Sequence, residues 1–320
     1  MMMFQQIIIA AAFIPFVAMA WATDGLDLRL STPKTSYMSG ELITVTLVRK
    51  NNSKDTLRVE QGRGLPEAVT VTGPDGKWLP YRGGLACGGP RAFFILRPAE
   101  ARTEVYTLTG IDNRPYDMTR LGRYELQSNY SSARGKDLEF PQDIKYWEGP
   151  TSAPKIEIQI TKARSSEFKE FRMLAKNGDR NAIQFLGLNK DPGAVPALEM
   201  AYKVDEWYSR YAIASALALI GTDEAVGALA RLSKSVSKLE RTVLLNALGN
   251  SRNQKAIPVL KEYLVIDDDY IGGRYDGKNY KILVTRKVAA NSLRAFKIDV
   301  PNSVWEISVD AAWKVPVSSK

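Results

Sequence analysis

The chain has 320 residues, a net charge of +9, 45% hydrophobic and 25% charged residues, one cysteine and no histidine. This length accommodates about two domains, and the balanced composition excludes wholesale disorder. Because histidine is absent, the chain forms no Ser-His-Asp triad, Cys-His pair or His-ligated zinc site. Carboxylate pairs, Ser-Lys dyads and all-oxygen calcium sites remain open chemistries.

Residues 1–22 predict a secretory signal peptide. Residues 7–20 (IIIAAAFIPFVAMA) form an uncharged apolar run that is short for a bilayer span, and it ends in small residues. We expect cleavage after Ala20 or Ala22, and therefore an exported protein, periplasmic or secreted. An uncleaved anchor or a buried N-terminal strand is the alternative. The basic balance allows an anionic surface as a partner, whereas nucleic acid does not suit an exported protein.

Residues 23–161 show the two-residue period of β-strands. Turn residues such as Gly73-Pro74-Asp75-Gly76 separate seven short apolar segments, which predict an antiparallel β-sandwich. Cys87 lies in a Gly-rich segment between two of these strands; because it has no histidine base, we expect no catalysis by its thiol. The predicted strands cover 41–50, 56–60, 68–71, 93–96, 104–108, 123–130 and 155–161.

Short motifs in this region resemble the immunoglobulin-like domains of secreted bacterial proteins. They are Ser39-Gly40-Glu41 before a strand, the corner-like segment 116–124, and Trp147-Glu148-Gly149 before the last strand. The resemblance implies an immunoglobulin-like fold without the paired cysteines of antibody domains, and it implies no activity. Tyr124 and Trp147 are interpreted as corner and core aromatic residues, with a ligand platform as the alternative.

A fixed period of 31 residues organises the region after 162. Runs of similar sequence begin at Ala194, Ala225 and Ala256, and Arg210 and Arg241 keep the same spacing. Such a period predicts an array of stacked units, here of two helices each. Arg286 takes the equivalent place in the last unit. The three arginines form either an anion-binding ladder or internal partners for carboxylates and helix ends.

The repeat unit has predictable ends. Gly221 and Gly249 are expected to terminate second helices at the C′ position, and Thr222 to cap the next helix. Ser237 and Glu240 have the spacing of a capping box. A Ser-Ser pair at 165–166 is expected to cap the first helix after the linker.

The segment 191–198, the helix that carries Arg210, and Ile220-Gly221 resemble the short HEAT repeat of the phycobilin-lyase type. The resemblance covers about 163–297 and implies a HEAT-like α-solenoid. It does not imply lyase activity, because the chain is predicted to be exported and to carry a fused sandwich.

One insertion breaks the period. The last unit carries about 14 extra residues near 267–281, between its two helices, and Asp276-Gly277 signals a hairpin. Inserted loops often form the binding face of a repeat array, with a neutral surface loop as the alternative. The acidic run 267–269 lacks the spacing of an EF-hand. The candidate partner-binding residues are Tyr270, Arg274, Tyr275, Lys278, Tyr280 and Lys281.

These features predict a multidomain β + α protein. The expected parts are a signal peptide (1–22), an immunoglobulin-like β-sandwich (23–161), an α-solenoid of HEAT-like helical hairpins (162–300) and a C-terminal cap or tail (301–320), in which Trp305 and Trp313 cover the end of the array. We expect a non-catalytic binding or scaffold protein with a protein partner and no cofactor, metal or nucleic acid. A secreted protease inhibitor that acts through the sandwich loops, and a carboxylate-based envelope enzyme, are the alternatives.

Overall fold

A computed structural model describes residues 25–60, 68–83, 93–111, 115–132, 144–204, 207–266, 270–275 and 278–309. β-Strands fill the N-terminal part and helices dominate the C-terminal part. The signal peptide, Cys87, the acidic run 267–269, the turn 276–277 and Trp313 lie outside the described residues. The strands before the helices are β1 (Leu26–Ser31), β2 (Ser36–Met38), β3 (Thr44–Asn51), β4 (Leu57–Glu60), β5 (Thr70–Thr72), β6 (Phe93–Leu96), β7 (Ala101–Thr107), β8 (Gly122–Gln127), β9 (Asn129–Ser132), β10 (Lys145–Tyr146), β11 (Gly149–Ser152) and β12 (Ile156–Thr161).

Two larger sheets organise the N-terminal part. One has three long strands in the order β1-β3-β7, and the other has four strands in the order β2-β12-β8-β5. Three shorter strands form the sheet β10-β4-β6, and β11 pairs with β9. Most neighbouring strands are antiparallel, but β2 runs parallel to β12 and β10 parallel to β4. Each of the seven predicted strands overlaps an observed one, and the segment predicted at 123–130 divides into β8 and β9. The predicted set lacked β1, β2, β10 and β11.

Both larger sheets contribute to one hydrophobic cluster. Leu28 from β1 and Leu47 from β3 share it with Tyr124 from β8 and Ile158 from β12. The Tyr124 ring is fully buried, and its hydroxyl donates to the Arg120 carbonyl at 2.8 Å, a tyrosine-corner contact. Trp147 packs beside Tyr130 with ring centroids 5.2 Å apart. Tyr124 is thus a buried corner residue, as interpreted, whereas Trp147 is half-buried and packs against the cluster from its edge.

The helices of the described C-terminal part come in sequential pairs. In space they form two rows: α1, α3, α5 and α7 contact one another in chain order, and so do α2, α4, α6 and α8. A strand pair, β13 (Tyr270–Tyr275) and β14 (Lys278–Leu283), separates the last two helices, and β15 (Glu306–Val309) joins it. The helices are α1 (Ser165–Lys176), α2 (Arg180–Leu188), α3 (Val195–Val204), α4 (Trp207–Ile220), α5 (Asp223–Ser235), α6 (Lys238–Asn250), α7 (Ala256–Glu262) and α8 (Val284–Arg294).

The 31-residue period corresponds to repeated packing positions. Ala194, Ala225 and Ala256 are fully buried at the starts of first-row helices. The leucines four positions later, Leu198, Leu229 and Leu260, are fully buried as well. The same residue type therefore fills the same site in each unit, which explains why the runs are similar.

The backbone repeats at the ends of the second-row helices. Positive φ values of 52°, 63°, 53° and 60° occur at Lys190, Gly221, Arg252 and Lys297. The first three positions are 31 residues apart and the fourth follows after 45. Gly221 thus ends α4 at the predicted C′ position. The prediction for Gly249 is wrong, because Arg252 adopts that conformation and Gly249 lies inside α6.

Gly249 has a packing role instead. A Cβ atom at this position would lie 2.7 Å from the Ser292 Cβ and 2.9 Å from its Cα. The glycine therefore allows α6 and α8 to approach closely. Thr222 and Ser237 cap α5 and α6 as predicted, and Glu240 completes the capping box. At α1 the cap residue is Arg164, with Glu167 as its partner, so the predicted serine cap is wrong.

Trp305 closes the last unit. Its side chain is 6% exposed and belongs to the helical hydrophobic cluster, as expected for a residue that covers the end of the array. Its carbonyl accepts a hydrogen bond from the Leu283 backbone at 2.8 Å, next to the pairing of β14 with β15. No helix among the described residues combines the length and hydrophobicity required to cross a bilayer.

Candidate functional site

Three arginines at equivalent positions bind protein groups. Arg210 on α4 pairs with the Glu240 carboxylate on α6 and lies 5.6 Å from the centroid of the Tyr202 ring. Arg241 on α6 donates to the Ser233 carbonyl at 3.2 Å, in the last turn of α5. These contacts join neighbouring helices, and they agree with the internal-partner interpretation of the series.

Arg286 behaves in the same way. Its Nε and Nη2 atoms donate to the carbonyls of Ile266 and Val265 at 3.0 and 3.2 Å, and Nη1 donates to the Val304 carbonyl at 3.2 Å. A cation therefore satisfies carbonyl groups just beyond α7, where the helix dipole is negative. We conclude that these guanidinium groups are committed to the interior of the array.

The Arg210–Glu240 pair has an electrostatic signature. Burial raises the pKa of Glu240, but hydrogen bonds from Ser237 and Arg210 lower it by more, so the net pKa lies below its ordinary value. Burial also raises the pKa of Tyr202 to about 12. Glu240 is thus a carboxylate, and Tyr202 a neutral phenol, at neutral pH.

The predicted partner-binding residues occupy a β-hairpin. Tyr270, Arg274 and Tyr275 lie on β13, and Lys278, Tyr280 and Lys281 lie on β14. The antiparallel register places Tyr275 opposite Lys278, Gly273 opposite Tyr280 and Gly272 opposite Lys281. The hairpin lies between α7 and α8, as predicted for the insertion.

A second candidate site is a groove along the second-row helices. It encloses about 580 Å³ between α4 and α6 and reaches Ile111 of the N-terminal part. Small side chains line it, which leaves room between the helices. The lining residues are Ile111, Tyr211, Ala214, Ser215, Ala218, Leu219, Val243, Asn246, Ala247 and Asn250.

The polar groups of the groove are uncharged. The Tyr211 ring on α4 is 45% exposed, and Asn246 and Asn250 are exposed one turn apart on α6. Within the described part of the chain, neither asparagine side chain makes a hydrogen bond. The groove therefore presents amide donors and acceptors beside an apolar floor. The groove was not predicted from the sequence, although Ser215 and Asn246 are 31 residues apart and therefore follow the period.

The groove runs up to a junction between the two parts of the chain. There, the Asn181 side chain of α2 accepts from the Leu42 backbone N–H at 2.8 Å, and the side chain of Asn189, the C-cap residue of α2, donates to the Ser39 carbonyl at 2.8 Å. The Gln184 amide donates to the Gly40 carbonyl at 3.5 Å. Gly40 has a φ of +91°, and a Cβ atom would lie 2.5 Å from the Asn189 Nδ2 atom. The Ser39-Gly40 turn, in which the Glu41 N–H donates to the Met38 carbonyl at 3.0 Å, is thus bound by side-chain amides of α2 and of its C-cap residue.

Carboxylates among the described residues form ion pairs rather than a metal-ligand cluster. Within these residues, no three Cys, Asp or Glu side chains cluster in a way that could hold a metal ion. Ion pairs occupy carboxylates of the array: Glu199 on α3 binds Arg231 on α5 through both oxygens, at 2.7 and 3.1 Å. That hydrogen-bonded pairing lowers the pKa of Glu199. These contacts connect adjacent units.

Comparison with known families identifies the helical unit. Residues 209–235, which span most of α4 and α5, match the PBS lyase HEAT-like repeat. The chain contains a HEAT-like repeat. The match confirms the resemblance of this region at the level of the repeat, and it carries no statement about enzymatic activity. No curated protein sequence matches the chain.

Solved structures with partial similarity come from diverse proteins. The CARDB domain of a Pyrococcus furiosus protein, in complex with di-metal ions, is 12% identical with a TM-score of 0.23; the match covers 44% of this chain and 99% of that one. A β-glucosidase from Erythrobacter marinus is 9% identical, with a TM-score of 0.22 and coverage of 42% and 15%. The sporulation control protein Spo0M from Bacillus subtilis is 13% identical, with a TM-score of 0.24 and coverage of 48% and 55%. Scores at this level assign neither fold nor function.

Proposed function

We propose that this chain is an exported, non-catalytic binding protein that engages a protein partner through its helical-repeat surface. In this proposal an immunoglobulin-like β-sandwich precedes an α-solenoid of HEAT-like hairpins. The buried Tyr124 corner and the core shared by two sheets support the sandwich. The two rows of helices with repeated buried alanines and leucines support the solenoid.

The observation that carries the proposal is the open groove of about 580 Å³ on the second row of helices. Repeat arrays use such extended surfaces to bind macromolecules. The β13–β14 hairpin, which interrupts the period, provides a second contact region with tyrosines and bases, residue types common in interfaces. No carboxylate lines the groove, and no contact of the described sandwich loops favours an inhibitor over a scaffold.

Affinity capture tests the proposal. The mature full-length chain is immobilised and exposed to the envelope fraction of its source, and we expect specific retention of one protein. The hairpin is tested with Tyr275→Ser combined with Lys278→Ser, which changes the residues that flank its turn. Deletion of the hairpin is a poorer test, because β14 also pairs with β15. The matched control is Lys261→Ser on the exposed surface of α7.

Weaker retention by the hairpin variant and unchanged retention by the control support the hairpin as a contact. Equal retention by both variants removes it. If the mature chain retains no envelope protein, the binding function is contradicted. N-terminal sequencing of material purified from the source tests export: we expect Trp21 or Thr23 as the first residue, and an intact Met1 contradicts the signal peptide.

A further inference from the structure

A row of uncharged polar side chains follows the second-row helices. Its members take equivalent places on α2, α4, α6 and α8: they are Gln184, Ser215, Asn246 and Asn291. The last three each follow an arginine of the repeated series, Arg210, Arg241 or Arg286, by five residues. The spacings between the four members are 31, 31 and 45 residues, the same as those of the helix ends. The row is therefore a property of the array rather than of one helix.

The first member of this row shows what such a side chain binds. Gln184 lies beside the Ser39-Gly40 turn of the N-terminal part and donates to a backbone carbonyl, that of Gly40. Asn181 on the same helix accepts from the Leu42 backbone N–H, and Asn189 at its C-cap donates to the Ser39 carbonyl. These amides thus form hydrogen bonds with main-chain groups, which every polypeptide has.

The groove continues directly from this internal interface. Ile111, which belongs to the N-terminal part, lines the groove and also packs against α2, where a Cβ at Gly187 would lie 2.7 Å from its Cδ1 atom. Beyond it, Asn246 and Asn250 present amides that bind no other described group. The lining contains no charged residue, so it matches a neutral ligand and leaves charged ligands without partners.

We propose that the groove between α4 and α6 binds an extended, uncharged polypeptide segment of a second protein. The Asn246 and Asn250 amides hydrogen-bond the main chain of this segment, and its apolar side chains pack on Tyr211 and Leu219, the apolar lining residues that keep exposed surface. An extended main chain has alternating donors and acceptors, which a side-chain amide matches with both of its groups. This inference rests on the proposed binding function and specifies the ligand class for it.

The test uses peptides selected from a random-peptide phage library on the full mature chain. Binding of a labelled synthetic copy of each selected peptide is measured by fluorescence anisotropy. We expect Asn246→Ala combined with Asn250→Ala to weaken the binding of uncharged peptides roughly tenfold, as expected for the loss of two neutral hydrogen bonds. Gln254→Ala, an exposed amide in the loop before α7, is the matched control and should change nothing.

A second measurement separates main-chain from side-chain recognition. N-methylation of the peptide bonds at the centre of the probe should abolish binding to the wild-type chain. The proposal is contradicted if wild type and the double variant bind every selected peptide equally, so that no peptide depends on the two asparagines. It is also contradicted if N-methylated peptides still bind the wild-type chain. Peptide binding is also compared between the full mature chain and a chain truncated after Val309. If only the truncated chain binds peptide, the groove is occupied by the chain's own tail, and the proposal of a second protein is wrong.

The experiments distinguish a failure of the peptide groove from a failure of the proposed binding function. If envelope capture by the mature chain succeeds and survives Asn246→Ala with Asn250→Ala, the protein is a binder that uses another surface. If capture fails while selected peptides bind and depend on both asparagines, the groove binds peptides without supporting the proposed envelope partner. Circular dichroism of the double variant confirms that its helices are intact.

Discussion

The two parts of this chain organise their contacts over different distances in the sequence. In the β part, β12 pairs with β2, so Gln159 lies opposite Ser36. In the helical part, contacts within a row join adjacent units, as in the Glu199–Arg231 pair, and contacts between the rows join helices that follow one another in the chain. The first arrangement ties distant segments into one core, whereas the second adds interfaces one at a time. A core substitution should therefore destabilise the whole of the β part but only the neighbouring units of the helical part.

The same contrast holds for buried charge. The β part encloses Arg49, which is 2% exposed and pairs with Glu104 between the rings of Phe94 and Tyr130. The helical part distributes Arg210, Arg241 and Arg286 over successive units. The surroundings of Arg49 thus occur once in the fold, whereas each of the repeated arginines connects neighbouring elements of the helical part at an equivalent position.

The largest expected effect comes from Leu→Ala in each part. Leu47 of β3 and Leu229 of α5 are both fully buried, and each substitution should cost roughly 2–5 kcal/mol of unfolding free energy. Hydrogen exchange with mass spectrometry should show faster exchange in all strands of both larger sheets for Leu47→Ala. For Leu229→Ala the increase should centre on α3 to α7. Equal increases throughout the chain for both variants would mean that the two parts unfold as one unit.

The junction between the parts is tested by Gly40→Ala. The substitution strains a backbone with a φ of +91° and brings a Cβ to 2.5 Å from Asn189, so we expect a loss of about 2 kcal/mol. Gly76→Ala is the control, because Gly76 has a φ of +73° with open space around it, and only about 1 kcal/mol of strain is expected. Chemical denaturation measures both. Equal losses would show that the contact with Asn189 contributes nothing.

Within the helical part, Gly249→Ala and Gly227→Ala should have opposite signs. At Gly249 the new methyl group would overlap the Ser292 backbone, and we expect a loss of about 1–2 kcal/mol. At Gly227, on α5, the neighbour is the movable Arg231 side chain at 3.3 Å, so the gain in helix propensity of about 0.5–1 kcal/mol should dominate. Thermal unfolding compares the pair. Stabilisation by both variants would contradict the close approach of α6 and α8.

The smallest effect is a pH dependence from Glu240. Because its folded pKa is lowered, its stabilisation is present above the unfolded pKa of about 4.3 and is lost as the pH falls through the folded value. The melting-temperature difference between wild type and Glu240→Gln should therefore shrink between about pH 5 and pH 3. The exposed Glu170→Gln is the control. If the difference grows as the pH falls, the pKa of Glu240 is raised rather than lowered in the folded protein.

The period made much of the helical part predictable from sequence. The runs at Ala194, Ala225 and Ala256 identified first-row helices because identical packing sites select similar residues. The error at Gly249 arose because glycine serves both helix ends and close packing, and sequence alone does not separate the two. The groove escaped prediction because Asn246 and Asn250 carry no charge and form no known motif.

The β part was predictable in its strands but not in its pairing. Alternation indicated β3 and β12, yet nothing local specifies that β12 lies between β2 and β8. Short strands such as β2 and β10 have too few residues to show a period. The hairpin was located by the broken spacing, and the pairing of β14 with β15 depends on a segment that follows α8.

The helix ends leave room for the array to become more stable. Of the four left-handed positions, only Gly221 has the residue that adopts this conformation without steric cost, while Lys190, Arg252 and Lys297 each hold roughly 1 kcal/mol of unrelieved backbone strain. Glycine at any of the three would release that strain, offset in part by the greater freedom of the unfolded chain. Substitutions at these helix ends can therefore compensate for destabilising changes elsewhere in the protein.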